Sequence, residues 1–153
     1  MGYRSDVAYI IRVEGIDKAK EFIALIRLKG GYVFEGLKEC SVSHFTDRQN
    51  GTTQVDFNFY DGDVKWYDGY EDVQGHNELL AFVEDEFNEC AGYRFIRIGE
   101  DNEDIETRTG GNDDLDPWDD FYVHRSINIP FSYENGGVGE KITELDRLIG
   151  DKQ

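Results

Sequence analysis

Apolar side chains alternate at Val7, Tyr9, Ile11 and Val13, with Ala8, Ile10 and Arg12 between them. A period of two is a strand. Apolar residues in both registers at its start bury both faces there, and Arg12 marks a face that opens to water further on. Gly15 then opens a helix with Asp17 in its first turn, where the helix dipole favours an acid. Ile16, Ala19, Ile23 and Ile26 form one apolar stripe, which Phe22 and Leu25 widen. Arg27 and Lys29 suit the C-terminal end, and Gly30-Gly31 stops the helix.

Residues 32–50 admit two readings. Tyr32-Val33-Phe34 and Val42-Ser43-His44-Phe45 are each short enough for a strand, and they could equally flank a short helix. From Val55 to Tyr67 the pattern predicts a hairpin. Asp61-Gly62 is a two-residue turn signal with positive φ at both positions. That register places Tyr60 opposite Asp63, Phe59 opposite Val64 and Phe57 opposite Trp66, so the apolar sets match on one face.

Asp72 caps a second helix running to about Cys90, with Leu80, Val83 and Phe87 as its buried stripe and Leu79 beside it. Glu78, Asp85 and Glu89 lie opposite, and Gly92 ends it. Phe82 falls nearer the acidic side, without a reason in the pattern. Tyr93 to Ile98 reads as a strand deep in a sheet. After Gly99-Glu100-Asp101-Asn102 a short strand carries Ile105, Thr107 and Thr109 on one side. Residues 110–120, GGNDDLDPWDD, read as an exposed loop with no buried element. Period two at Phe121, Val123, Ile127, Ile129 and Phe131 predicts one long strand. Val138, Ile142, Leu145 and Ile149, after Gly136-Gly137, predict a short terminal helix. The order predicts a single α+β domain over 1–153. Its sheet is mixed and mostly antiparallel, with two main helices on one face and a short C-terminal helix.

Composition changes this picture in one respect. The formal charge is −17, and all of it sits in residues 56–120, which hold 21 Asp/Glu against Lys65, Arg94, Arg97 and Arg108. Acidic disordered chains are poor in aromatics, whereas 14% of this one is Phe, Trp or Tyr, so it folds. A single-sign field of that size repels nucleic acid and anionic membrane and attracts basic surfaces. The expected binding surface is one continuous acidic edge. It joins Asp61, Asp63, Asp68 and Asp72 to Asp101, Glu103, Asp104, Glu106, Asp113, Asp114, Asp116, Asp119 and Asp120, with Trp118 as a loop-borne aromatic anchor. The alternative is that these acids only confer solubility. No apolar run approaches the length that crosses a bilayer, and MGYRSDVAYI carries no secretory pattern.

Chemistry leaves little trace. Asn112, Asp114 and Asp116 have the spacing of a calcium loop, but Pro117 stands where its glycine belongs and Val123 where its glutamate belongs. His44, His76 and His124 share no metal-ligand spacing, and His76 and His124 are expected on polar surfaces. Cys40 and Cys90 read as two reduced thiols, with a disulfide between them left open. Nucleophile motifs and a P-loop are absent. No metal, cofactor or catalytic residue is therefore expected, although an enzyme is not excluded.

Three stretches add a resemblance. MGYRSDVA, DVKWYDGYEDVQGHNELL and YRFIRIGEDNEDIE, at about residues 1–14, 63–80 and 93–106, resemble small uncharacterised proteins of tailed bacteriophages and prophages. The resemblance implies a phage or prophage origin and action in the host cytoplasm. It offers no catalytic residues. Joined to the charge block, it points to an interaction protein that binds a basic host protein surface, as a nucleic-acid mimic would, without binding nucleic acid itself. A small ligand-binding protein or enzyme and a minor virion or assembly component stand as alternatives.

Overall fold

The computed structural model describes residues 2–49, 51–101, 103–117, 121–123 and 127–130. Along the chain these are β1 (Ser5–Glu14), α1 (Ile16–Lys29), α2 (Gly31–Lys38), β2 (Ser41–Thr46), β3 (Thr53–Val64), α3 (Glu71–Glu86), β4 (Ala91–Gly99) and β5 (Ile105–Gly111). A 3-10 turn (Asp113–Leu115) follows, and then two short strands, β6 (Tyr122–Val123) and β7 (Ile127–Asn128).

Val7 to Ile11 are all completely buried. Only a strand with a partner on each edge and a layer on each face can satisfy that, and β1 is the middle strand of five. The sheet is antiparallel throughout, in the order β2-β3-β1-β4-β5. Helical crossovers after β1 and β3 make the first four strands a split βαβ arrangement. The α+β class is as the pattern predicts. One face carries Tyr9, Ile11, Phe57 and Phe95 against Phe22, Ile26, Leu79 and Val83 of the helices. Burying a side chain of this size contributes about 1.5–3 kcal/mol of transfer free energy. The other face carries Ala8, Ile10 and Ile96 under Phe121 and Ile127.

Several expectations hold in detail. α1 begins after Gly15 and ends at Gly30. Gly30 and Gly31 both take positive φ, 65° and 62°, and turn the chain directly into a second helix. Residues 32–34 are therefore helical and 41–46 form a strand, one outcome for each half of the ambiguous segment. α2 then packs closely on α3. A Cβ on Gly75 would run into the Tyr32 carbonyl oxygen, and one on Gly36 would lie 3.2 Å from His76 Nδ1. Phe82, unexplained by periodicity, is buried against Phe22 and Phe87.

Four expectations are corrected. There is no hairpin at Asp61-Gly62, because β3 continues through it to Val64. Val55, Phe57 and Phe59 instead match Val13, Ile11 and Tyr9 of β1, a longer apolar ladder than the local hairpin could form. The register shifts between Ser5 and Val7, and the left-handed residue there is Asp63 (φ 54°), whose N–H donates to Asp6 Oδ1 at 2.9 Å. Trp66 packs on the core as expected, but from the connection beyond β3 rather than opposite Phe57.

The acidic loop, secondly, does build a buried element. Leu115 and Pro117 are buried, because the 3-10 turn folds back on the start of β4, with Asn112 N–H on the Ala91 carbonyl. Thirdly, the chain does not run straight from 121 to 131. β6 and β7 pair antiparallel, so Tyr122–Val123 and Ile127–Asn128 run in opposite directions. Fourthly, His76 is buried, at 2% exposure. His124, Trp118, Asp119, Asp120 and the expected terminal helix at 138–149 lie outside the described residues. No helix among the described residues is long and apolar enough to cross a membrane.

Candidate functional site

The sheet has two ends. β1 starts, β3 and β4 finish and β5 starts at the same end, so residues 3–6, 61–72 and 99–105 meet there. A cleft of about 360 Å³ opens at this end between the sheet, the connection to α3 and the α2–β2 corner. Phe59, Trp66 and His76 line it, with ring centroids of Phe59 and Trp66 at 4.3 and 5.5 Å from the imidazole. Asp61, Asp72 and Glu39 line it too, as do Tyr70, Arg4 and Lys65.

His76 anchors a hydrogen-bond chain that runs into the core. Its Nε2 lies 2.7 Å from Glu39 Oε2 and its Nδ1 lies 2.7 Å from the Tyr9 hydroxyl. A carboxylate only accepts, so Nε2 donates to Glu39, and in the neutral ring Nδ1 then accepts from the Tyr9 hydroxyl. The Cys40 thiol donates in turn to Tyr9 at 3.6 Å. Burial pushes the Cys40 thiol up to about 12 and the Tyr9 hydroxyl well above its usual range, so both stay protonated. Cys40 is therefore a structural thiol. It and Cys90 are both free. Glu39 is the half-exposed outer end of this chain.

The eleven expected partner-binding residues that are described do not form one edge. Asp61 and Asp72 line the cleft, and Asp68 sits on the β3–α3 connection. Asp63 joins through Arg4, which donates to the Asp63 carbonyl at 3.0 Å. Arg4 N–H also meets Glu100, and the Tyr3 hydroxyl contacts both the Asp101 amide and the Asp104 carboxylate. Glu103 lies on the same turn. Asp113 and Asp114 lie beyond the far end of β5, about 20 Å away at ~3.3 Å per residue. The continuous edge is corrected to two separate groups, because β5 spans the sheet between them.

Three of the expected residues are already engaged. Arg94 grips Asp116 with two bonds of 2.7–2.8 Å. Arg97 bonds Asp104 at 2.7 Å and Glu106 at 3.0 Å, and Arg108 meets Glu106 at 3.1 Å. Arg97, then Tyr3, holds the Asp104 carboxyl below its ordinary value. Asp61 moves the other way. Burial raises it, the charges of Glu39 and Asp72 raise it further, and His76 opposes them. Asn112 caps the 3-10 turn by accepting from Asp114 N–H, and Asp116 is held by Arg94, so the calcium-like spacing serves a turn and an ion pair.

Against family models, curated proteins and solved structures, the chain has no match. The cleft therefore stands on its own geometry. The sequence reading named Asp61 and Asp72 but missed Glu39, Phe59 and His76. For His76 a signal existed. Val73, His76, Leu80, Val83 and Phe87 recur at spacings of three and four, so the buried stripe of α3 extends one turn further and includes the histidine. Glu39 and Phe59 carry no such mark, since only the fold brings the α2–β2 corner to the end of β3.

Proposed function

We propose that this chain is an interaction protein that lays the cleft end of its sheet on a basic surface of a protein partner. The observation that supports this is the gathering of Asp61, Asp63, Asp68, Asp72, Asp101 and Glu103 at one end. None of them is in an ion pair among the described residues. Half-exposed Tyr70 stands among them as an aromatic contact. Carboxylates so placed take the positions phosphates occupy against a basic groove, and docking releases the counterions of both surfaces. The matching partner is a nucleic-acid-binding protein. With the sequence resemblance to phage proteins, that partner is a host factor, of which a defence or nucleic-acid-processing factor is the fitting class.

Competition tests this. Purified basic DNA-binding proteins are loaded with a labelled duplex and titrated with the chain at rising salt. The expected result is displacement that weakens steeply with salt and is lost in the variant Asp61→Asn, Asp63→Asn, Asp68→Asn, Asp72→Asn. The variant Asp113→Asn, Asp114→Asn should displace normally. Equal displacement by both variants would leave the acids as a solubility feature.

A further inference from the structure

We propose that the cleft at the sheet end binds a small organic cation, a guanidinium or primary ammonium on a short alkyl chain. This goes beyond the docking reading, since a free small molecule suffices. The cleft's volume, about 360 Å³, is at the lower end of the small-molecule range. Its floor is aromatic, with the rings of Phe59 and Trp66 set against the buried His76. Cations bind over such faces, and Trp is the best of them. Four cation–ring contacts occur elsewhere in the described residues, over Phe34, Phe82 and Phe95, and none over Trp66 or Tyr70.

The walls supply the charge. Asp61 and Asp72 have no ion-pair partner among the described residues, and Glu39 pairs only with His76. Arg4 and Lys65 also line the cleft, but neither forms an ion pair among the described residues. The Arg4 guanidinium donates to the Asp63 carbonyl, and the Lys65 stem lies beside Gly2 near the Tyr67 hydroxyl. Asp61, Asp72 and Glu39 reach the cleft from three different elements, β3, α3 and the end of α2. No group of three His, Cys, Asp or Glu among the described residues could hold a metal ion. Acids spread around an aromatic floor suit a charge delocalised over a guanidinium, or one carried at the end of a chain, better than a point ion. The ligand would also offset the mutual repulsion of Glu39, Asp61 and Asp72.

The test uses the full chain and three probes: agmatine, butylurea as its uncharged counterpart, and magnesium ion at matched ionic strength. Amide and indole N–H spectra are followed during titration. Agmatine should shift the Trp66 indole and the amides of residues 59–61 and 70–72 saturably, whereas butylurea and magnesium should not. In Asp61→Asn, Asp72→Asn the agmatine affinity should fall about tenfold or more with the remaining spectrum unchanged. Trp66→Leu should weaken it as well, and Asp113→Asn, Asp114→Asn should leave it intact. An equal response to butylurea, displacement by magnesium, or unsaturable shifts spread over the acidic surface would overturn the proposal. So would agmatine binding that is unchanged in Asp61→Asn, Asp72→Asn. A failed duplex competition beside saturable agmatine binding would sink the docking reading alone.

Discussion

The carboxylates paired with the arginines of β4 and β5 and the cleft's Asp61 and Asp72 come from one acidic stretch of sequence and have opposite roles. Along the ladder, arginines stand across or beside the acids, so Arg94 holds Asp116 and Arg97 holds Asp104 and Glu106. At the cleft no arginine among the described residues answers Asp61 or Asp72, and the buried support is a hydrogen-bond chain, Glu39 to His76 to Tyr9 to Cys40. The first group is part of the fold. The second is charge left over after folding. A net charge read from sequence sums the two, and only strand register separates them.

The strongest way to break this contrast is to remove the support beneath the cleft. His76→Leu leaves the Tyr9 hydroxyl buried with only a weak thiol donor, and it removes the partner of Glu39. It should cost about 2–4 kcal/mol, read as a lower urea midpoint with unchanged slope. Next in size is Gly75→Ala. Inside a helix this change ordinarily gains ~1 kcal/mol, but here the new methyl meets the Tyr32 backbone. A loss of about 2 kcal/mol is expected, and a stabilised variant would show that α2 and α3 do not approach as closely as described.

On the ladder side, Arg94→Ala strands Asp116, and the loss should be about 1–2 kcal/mol. It falls at the low end because both side chains keep 20% or more exposure and water screens them. At the cleft, Asp61→Asn with Asp72→Asn should be neutral or gain up to about 0.5 kcal/mol, since it relieves repulsion. The contrast fails if this pair destabilises as much as Arg94→Ala does.

The finest test is titration of single carboxyls by NMR. Asp104 should titrate below 3.8 and Asp61 above it. The signs then oppose each other. The stability Asp104 contributes is present above its unfolded value and is lost as the pH falls through its lower folded one. Charging Asp61 works against the fold, and its protonation on acidification removes that penalty. Arg97→Gln should bring Asp104 back towards 3.8 and leave Asp61 where it was.

Most of the scaffold was legible in the chain. β1, α1, α3 and β4 each carry a period long enough to fix their type, and both glycine stops of α1 fall where the pattern puts them. The failures share a cause. Asp61-Gly62 is a good local turn, but pairing with β1 reaches through it. Residues 110–117 look like an exposed acidic loop, but Leu115 and Pro117 are buried, Leu115 beside Gly92 of β4. Half of the cleft was visible as acids without their position. The other half, Glu39, Phe59 and His76, depends on which corners the sheet brings together, and no local period encodes that.

Strand β2 has a consequence for handling the protein. It is one of the two outer strands, and among the described residues nothing pairs with its free edge, where Phe45 is 66% exposed. Its six residues, SVSHFT, hold no lysine or proline to discourage a second chain from adding there. What keeps molecules apart at neutral pH is their shared charge of −17, and that vanishes near the isoelectric point of about 4.4. Colloidal stability should therefore collapse over a narrow acidic range while the fold itself persists, and a lysine at Phe45 should keep the protein in solution through it.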